Sequence, residues 1–419
     1  MFLDTLTHAF FKISDAALLI MDECHHAQSG KDHPYTRIMK DYYLPLKNNP
    51  ESRSLPRILG LTACLMVKKV TKDRFHVEKK ILEDLMDSKV ETTTDMYDIL
   101  KYVTAPRESI CRFPAGNQNC SQLYKMIESH CQVALVKLTE VYNNELARLK
   151  STNEENINFC ETAIKELMKD FKTMKNEIIN NIAEGIKDLG LIALVLTYDG
   201  FKARAEKSDS KAFRVYYSVE ARREMVQAVL ECLQLIGTVL IQTPYDQHSN
   251  QSLKNLSSTK VLKLIEQIRG DEDEETKRTI VFVQKQFHTE TLSKIIKNFS
   301  RVDPLLSGVI TDFAFSPGSN LNVKDPKERE QINNNRRKLR ETLAKFKDGR
   351  VNTLISTSVI EEGLDVRTCN LVIKFDFPDT FRWAVSRGLL QCCSVGICIS
   401  AGPTFRARVE PGPGPASIY

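Results

Sequence analysis

Short apolar runs that end in small or charged residues alternate with polar loops near both ends of the chain, while long stripes of apolar residues fill the middle. Ala16-Ala17-Leu18-Leu19-Ile20-Met21 is long enough for one buried parallel strand. Leu59-Gly60-Leu61-Thr62-Ala63, again apolar into a small polar turn, predicts a neighbouring strand. Residues 35–43 predict a short helix between them, flanked by polar, proline-containing connections at 31–34 and 47–56. Further on, Ile164, Leu167, Met168, Phe171, Met174, Ile178, Ile182 and Ile186 recur at threes and fours and form one face of a long amphipathic helix. Leu123, Met126, Ile127, Leu135, Leu138, Tyr142, Leu146 and Leu149 mark another, and Val226, Val229, Leu230, Leu233 and Leu235 begin a third. Proline is absent from 120 to 243, so this stretch predicts a helical domain, with polar loops at 151–156 and 247–259.

An acidic run at 271–275 separates that domain from a second α/β region. Thr279-Ile280-Val281-Phe282-Val283 is a β-branched, buried strand, and 289–299 is helix. A basic helix at 333–346 carries Arg336, Arg337, Lys338, Arg340 and Lys345. Strands at 351–355 and 371–375 enclose the polar turn 357–365. Strand and helix alternate as in a parallel, doubly wound sheet. From 388 the period is lost, and Pro411-Gly412-Pro413-Gly414-Pro415 reads as disordered.

A length of 419 residues predicts two or three domains. The net charge of +5 is mild, so any nucleic-acid surface must be a local patch rather than a global field. Residues 1–11 lack the basic start of a secretory signal, and the apolar block at 189–196 is too short to cross a bilayer, so no membrane partner is expected. The 11 cysteines lack paired metal-ligand spacing and read as reduced thiols of a cytoplasmic protein.

Two clusters carry candidate chemistry. Asp22-Glu23-Cys24-His25 follows the first apolar run, where open α/β sheets bind ligands. In a nucleoside triphosphatase the first acid holds Mg²⁺ on the β- and γ-phosphates and the second orients or deprotonates the attacking water. Thr357-Ser358-Val359-Ile360-Glu361-Glu362-Gly363-Leu364-Asp365-Val366 offers hydroxyls suited to a sugar–phosphate backbone and a glycine that permits close approach.

In order and spacing these motifs resemble the superfamily-two RNA helicases. Asp22 to His25 is similar to motif II, Leu61-Thr62-Ala63 to motif III, Val281-Phe282-Val283 to motif IV and 357–365 to motif V. The helical insertion between motifs III and IV resembles the group containing Dicer and the RIG-I-like receptors. Asp32-His33-Pro34-Tyr35, residues 56–63 and residues 369–378 resemble Dicer, of the invertebrate small-interfering-RNA type. The resemblance implies two RecA-like parallel-sheet lobes, the first truncated, with an all-helical insertion between them. Its boundaries are expected at 1–74 for the first lobe, 75–270 for the insertion, 271–387 for the second lobe and 388–419 for an aberrant tail.

The resemblance further implies ATP and Mg²⁺ as cofactors and double-stranded RNA as partner, recognised by A-form shape. A double-stranded-RNA-binding-domain protein could dock on the helicase region. Asp22 would bind Mg²⁺ through the nucleotide, Glu23 would position water, and His25 and Thr62 would couple nucleotide state to the second lobe, with Ala63 completing that motif. Thr311, Thr357 and Ser358 would touch RNA backbone, while Gly363 and Asp365 would line the nucleotide cleft. The family's phosphate-cradling Gly-Lys-Thr loop does not precede motif II, and its arginine-finger motif is out of register after Arg387. The expectation for this chain by itself is therefore neither efficient ATP hydrolysis nor RNA cleavage. The alternatives are a RIG-I-like RNA sensor and a non-catalytic RNA- or partner-binding module.

Overall fold

The computed structural model describes residues 2–28, 33–49, 55–62, 65, 72–91, 107–113, 121–151, 157–210, 216–269, 278–315, 326–357, 369–376 and 395–401. Two compact units separate near residue 107.

The first unit begins with helix α1 (Phe2–Thr7) and strand β1 (Leu18–Met21). A 3₁₀ turn (Cys24–Gln28) follows, then a continuous helical stretch: α2 (Pro34–Arg37), a π segment (Ile38–Tyr43) and α3 (Leu44–Lys47). Strand β2 (Arg57–Gly60) pairs in parallel with β1, Leu18 opposite Arg57 and Met21 opposite Gly60. Helix α4 (Lys72–Met86) packs Leu82 and Met86 into the same core as Leu19, Met21, Cys24 and Met39. The first unit thus continues past the expected boundary at 74, because the inward face of α4 has its apolar partners there.

In the second unit, strand β3 (Arg107–Phe113) precedes the bundle helices α5 (Ser121–Ser151) and α6 (Ile157–Lys172). A π segment (Thr173–Asn180) leads into α7 (Asn181–Leu189), and α8 (Leu191–Ser210), α9 (Val219–Ile241), α10 (Asn250–Leu256) and α11 (Thr259–Arg269) complete the helical part. The stripe expected from Ile164 to Ile186 is one helical rod, widened over the π segment, whose Met174, Ile178 and Ile179 are buried. Gly190, at φ +99°, ends α7 and lets the chain turn directly into α8. By length and composition α9 is apolar enough to cross a bilayer. In this fold Met225, Val226, Val229, Leu233 and Ile236 of α9 are buried, and the helix packs against α5 and α8.

The sheet of this unit contains β4 (Thr279–Val283), β5 (Thr311–Ala314), β6 (Thr353–Thr357), β7 (Leu371–Lys374) and β8 (Val395–Ala401), with helices α12 (Gln286–Val302) and α13 (Pro326–Lys347). Its strand order is β3-β8-β7-β4-β6-β5. β4 is parallel to both β6 and β7, and every residue of β4 is buried, as expected of a run of β-branched and aromatic residues without polar alternation. Two expectations are corrected by this sheet. The segment 75–270 is not wholly helical, since β3 joins the sheet, and the region after 387 is not wholly irregular, since β8 lies between β3 and β7.

Candidate active site

The acidic turn of the first unit is built by continuation of the β1–β2 ladder. Leu61 N–H donates to the Met21 carbonyl and Cys24 N–H to the Leu61 carbonyl, both at 2.9 Å, so the turn after β1 is tied to the residue before Thr62. Glu23 adopts φ +48°, a left-handed conformation costly for a residue with a Cβ, and such strain concentrates at functional turns. Its N–H is held by Asp22 Oδ1 at 3.0 Å. The Asp22 side chain remains exposed and Glu23 is half-buried.

His25 is 7% exposed, and its Nδ1 lies 2.7 Å from Thr62 Oγ1 and 3.2 Å from Glu23 Oε2. The negative Glu23 carboxylate alongside favours the tautomer that carries the ring proton on Nδ1 and donates it toward Thr62. Burial pushes the Cys24 thiol up, with Glu23 and Asp22 adding to the shift, so Cys24 is a packing residue rather than a nucleophile. Burial likewise raises Tyr35, with Asp22 contributing. The structure therefore brings together Asp22, Glu23, His25 and Thr62. Ala63, Ser358, Gly363 and Asp365 lie outside the described residues.

Among the described residues no group of three or more His, Cys, Asp or Glu could hold a metal by itself. Asp22 nonetheless offers an exposed, hard oxygen donor of the kind Mg²⁺ takes alongside phosphates. That donor set fits an ion carried by a nucleotide.

In the second unit Thr357 ends β6 and is half-buried. Thr311 is placed differently from the expectation. It opens β5 in register with Thr353, four residues before Thr357, which separates the two by roughly 13 Å along the strands. Thr311 is also 4% exposed. Its hydroxyl is buried at the amino end of a parallel strand, so the structure does not bring Thr311 together with Thr357.

Sequence reasoning missed a polar seam where the helical part meets the carboxyl ends of β4 and β7. Lys260 of α11 donates to Asp376 Oδ1 at 2.5 Å and lies 4.0 Å from the centre of the Phe375 ring. Asp376 Oδ2 accepts from Gln284 N–H at 2.8 Å. Burial opposes ionisation of Asp376, but Lys260 and the Gln284 N–H outweigh it and hold the carboxyl below its ordinary range. Lys285 bridges Glu184 at 2.8 Å and Asp188 at 3.5 Å. Fully buried His288 lies 3.8 Å from Asp188, and burial holds its pKa down against the pull of Asp376 and Asp188. No local period marks these residues, whose partners are up to 116 positions apart.

Residues 259–392 match the helicase conserved C-terminal domain family. The chain is 30% identical over 402 residues to endoribonuclease dcr-1 of Caenorhabditis elegans, covering 92% of this chain and 19% of that protein. It is 30% identical over 380 residues to endoribonuclease Dicer homolog 2b of Oryza sativa subsp. japonica, covering 89% of this chain and 25% of that protein. Among solved structures, the helicase domain of Pyrococcus furiosus Hef aligns with a TM-score of 0.46 and 19% identity, covering 96% of this chain and 74% of that one. The chain thus spans a fifth to a quarter of the length of these two Dicer relatives.

Proposed function

With Dicer proteins among its relatives, we propose that this chain is part of the ATP-dependent helicase region of a Dicer-like endoribonuclease, a parent protein that binds double-stranded RNA and couples ATP hydrolysis with Mg²⁺ to processing of that RNA into small interfering RNA, in the cytoplasm, in RNA interference and antiviral defence. The observation that supports this reading is the acidic turn. Asp22 is exposed, with its Oδ1 on the Glu23 N–H, while Glu23 has a left-handed backbone and shares the Nδ1 side of His25 with Thr62. Bound Mg²⁺ would supply charge neutralisation for the phosphates.

This chain's own residues do the rest. Asp22 takes the cation, Glu23 accepts from and orients a water, and the His25–Thr62 hydrogen bond reports a shift of either strand end to the other. RNA contact falls to hydroxyls such as Thr357 and to the basic face of α13, through phosphate and A-form shape rather than base sequence. A double-stranded-RNA-binding protein is the partner proposed for the helicase region.

Equilibrium binding of a fluorescent ATP analogue, with and without Mg²⁺, tests the reading. Binding that needs Mg²⁺ and weakens at least ten-fold in Asp22→Asn is expected, about the value of one charge-assisted contact. Mg²⁺-independent binding, unchanged by Asp22→Asn, would overturn it.

A further inference from the structure

Behind the acidic turn the side chains form a closed chain of contacts that the proposed roles do not use. The His25 ring packs on His26 with centroids 4.3 Å apart. His26 stacks on His33 at 5.6 Å and 19°, and His33 meets Tyr35 edge-on at 5.1 Å and 77°. Tyr35 Oη then donates to the main-chain carbonyl of Asp22 at 3.0 Å. The array starts on Asp22 and ends on His25, the two flanks of the strained residue Glu23.

Each member is anchored separately. The Nδ1 of His33 accepts from Tyr35 N–H at 3.2 Å and so caps α2, where Pro34 occupies the first turn. Thr36 Oγ1 donates to the Ala27 carbonyl at 2.6 Å, pinning α2 to the turn that bears His25 and His26. The face toward α4 is apolar: Leu82 and Met86 share the core with Cys24. Two acids of α4 pair within the helix, Glu83 with Lys79 and Asp84 with Lys80, while Asp87 just beyond pairs with Lys47 and Tyr43.

We propose that His26, His33 and Tyr35 are positioning residues, a ring array that holds Asp22 and His25 on either side of left-handed Glu23. A residue in that conformation persists only when its surroundings over-determine it. The ladder bonds fix the turn from the β2 side, and the ring array fixes it from the α2 side. The inference rests on the acidic turn being the nucleotide site for its purpose, but its geometry is testable without nucleotide.

The test is imidazole NMR on the full chain labelled at histidine, whose 8 histidines keep the spectrum sparse. His25→Gln assigns the His25 Nδ1–H signal. Tyr35→Phe removes only the hydroxyl that holds Asp22, and His26→Ala removes the ring on which His25 packs. Both are expected to speed exchange of the His25 Nδ1–H roughly five- to ten-fold, the equivalent of one weakened hydrogen bond. His26→Phe, which keeps a ring, is expected to restore exchange to within about two-fold of the parent. Unchanged His25 exchange in Tyr35→Phe overturns the proposal, and that variant decides even if His26→Ala fails to fold. Absence of nucleotide binding by the parent chain would count against the functional reading above and not against the array.

Discussion

Gly60→Ala is the most informative small change to the acidic turn. Gly60 ends β2 opposite Met21, and a Cβ built there falls 2.7 Å from Cys24 Sγ, 3.1 Å from Cys24 Cβ and 3.5 Å from Met86 Cε. The first contact is closer than packed atoms tolerate, so something must move. Cys24 cannot retreat freely: its N–H is bonded to the Leu61 carbonyl, and it follows Glu23 at φ +48°. Overpacking of this kind costs about 1–3 kcal/mol. Two compact units make global melting a poor gauge, so hydrogen exchange of peptides covering β1, the turn and β2 is the suitable assay. Their exchange should quicken by roughly five- to a hundred-fold, with the second unit unaffected. Cys24→Ala in the same chain removes the clashing sulfur and should recover at least half of the loss. A Gly60→Ala protein with parental exchange, or a double variant that merely adds the two costs, would refute the reasoning.

Three further outcomes follow from the second unit. Asp376→Ala leaves Lys260, whose side chain is 12% exposed, facing no carboxylate at Asp376, and should cost about 3 kcal/mol or more in urea unfolding, largely recovered by adding Lys260→Met. Burial holds His288 below the ordinary 6.5, so the unfolded chain takes up its proton first; stability is complete above that pH and falls as pH drops below it. The slope from this group is at most about 1.4 kcal/mol per pH unit, and His288→Phe should flatten it; an unchanged slope would deny the effect. Gly190→Ala forces a Cβ into φ +99° against the backbone of Leu256, Ser257 and Ser258, and should destabilise the helical part by at least about 1 kcal/mol, read by urea unfolding.

Much of this architecture is legible from residue order alone because burial on both faces writes itself as a continuous apolar run. Thr279 to Val283 is the clearest case, and Leu371 to Lys374 another. The helix containing Ile164 to Ile186 was equally plain, although its π segment was not, since a widened turn barely disturbs an apolar stripe. Strand β3 escapes because Arg107 to Phe113 carries no clean alternation, and β8 because the alternation of Val395, Ile397 and Ile399 is short and set in a cysteine-, glycine- and proline-rich stretch.

At the acidic turn, Asp22, Glu23 and Thr62 stand out in the sequence because they sit at the ends of two short apolar runs, and the fold brings those ends together. The burial of Thr311 is not legible in the sequence, because a threonine after an apolar pair reads the same whether its hydroxyl faces solvent or the core. The ring array had a partial signal, His-Pro ahead of a short helix, but stacking between His26 and His33 is a property of the folded turn. The Lys260–Asp376 pair had none, because the fold alone brings together residues 116 positions apart.

The most direct test of the central claim is a titration of the chain with two RNA duplexes of unrelated sequence and equal length, and with a DNA duplex of that length, across a range of salt. Recognition by A-form shape and phosphate predicts equal affinity for both RNAs, weaker binding of DNA, and affinity that falls steadily with salt. Equal binding of RNA and DNA, or strong preference for one RNA sequence, would contradict it.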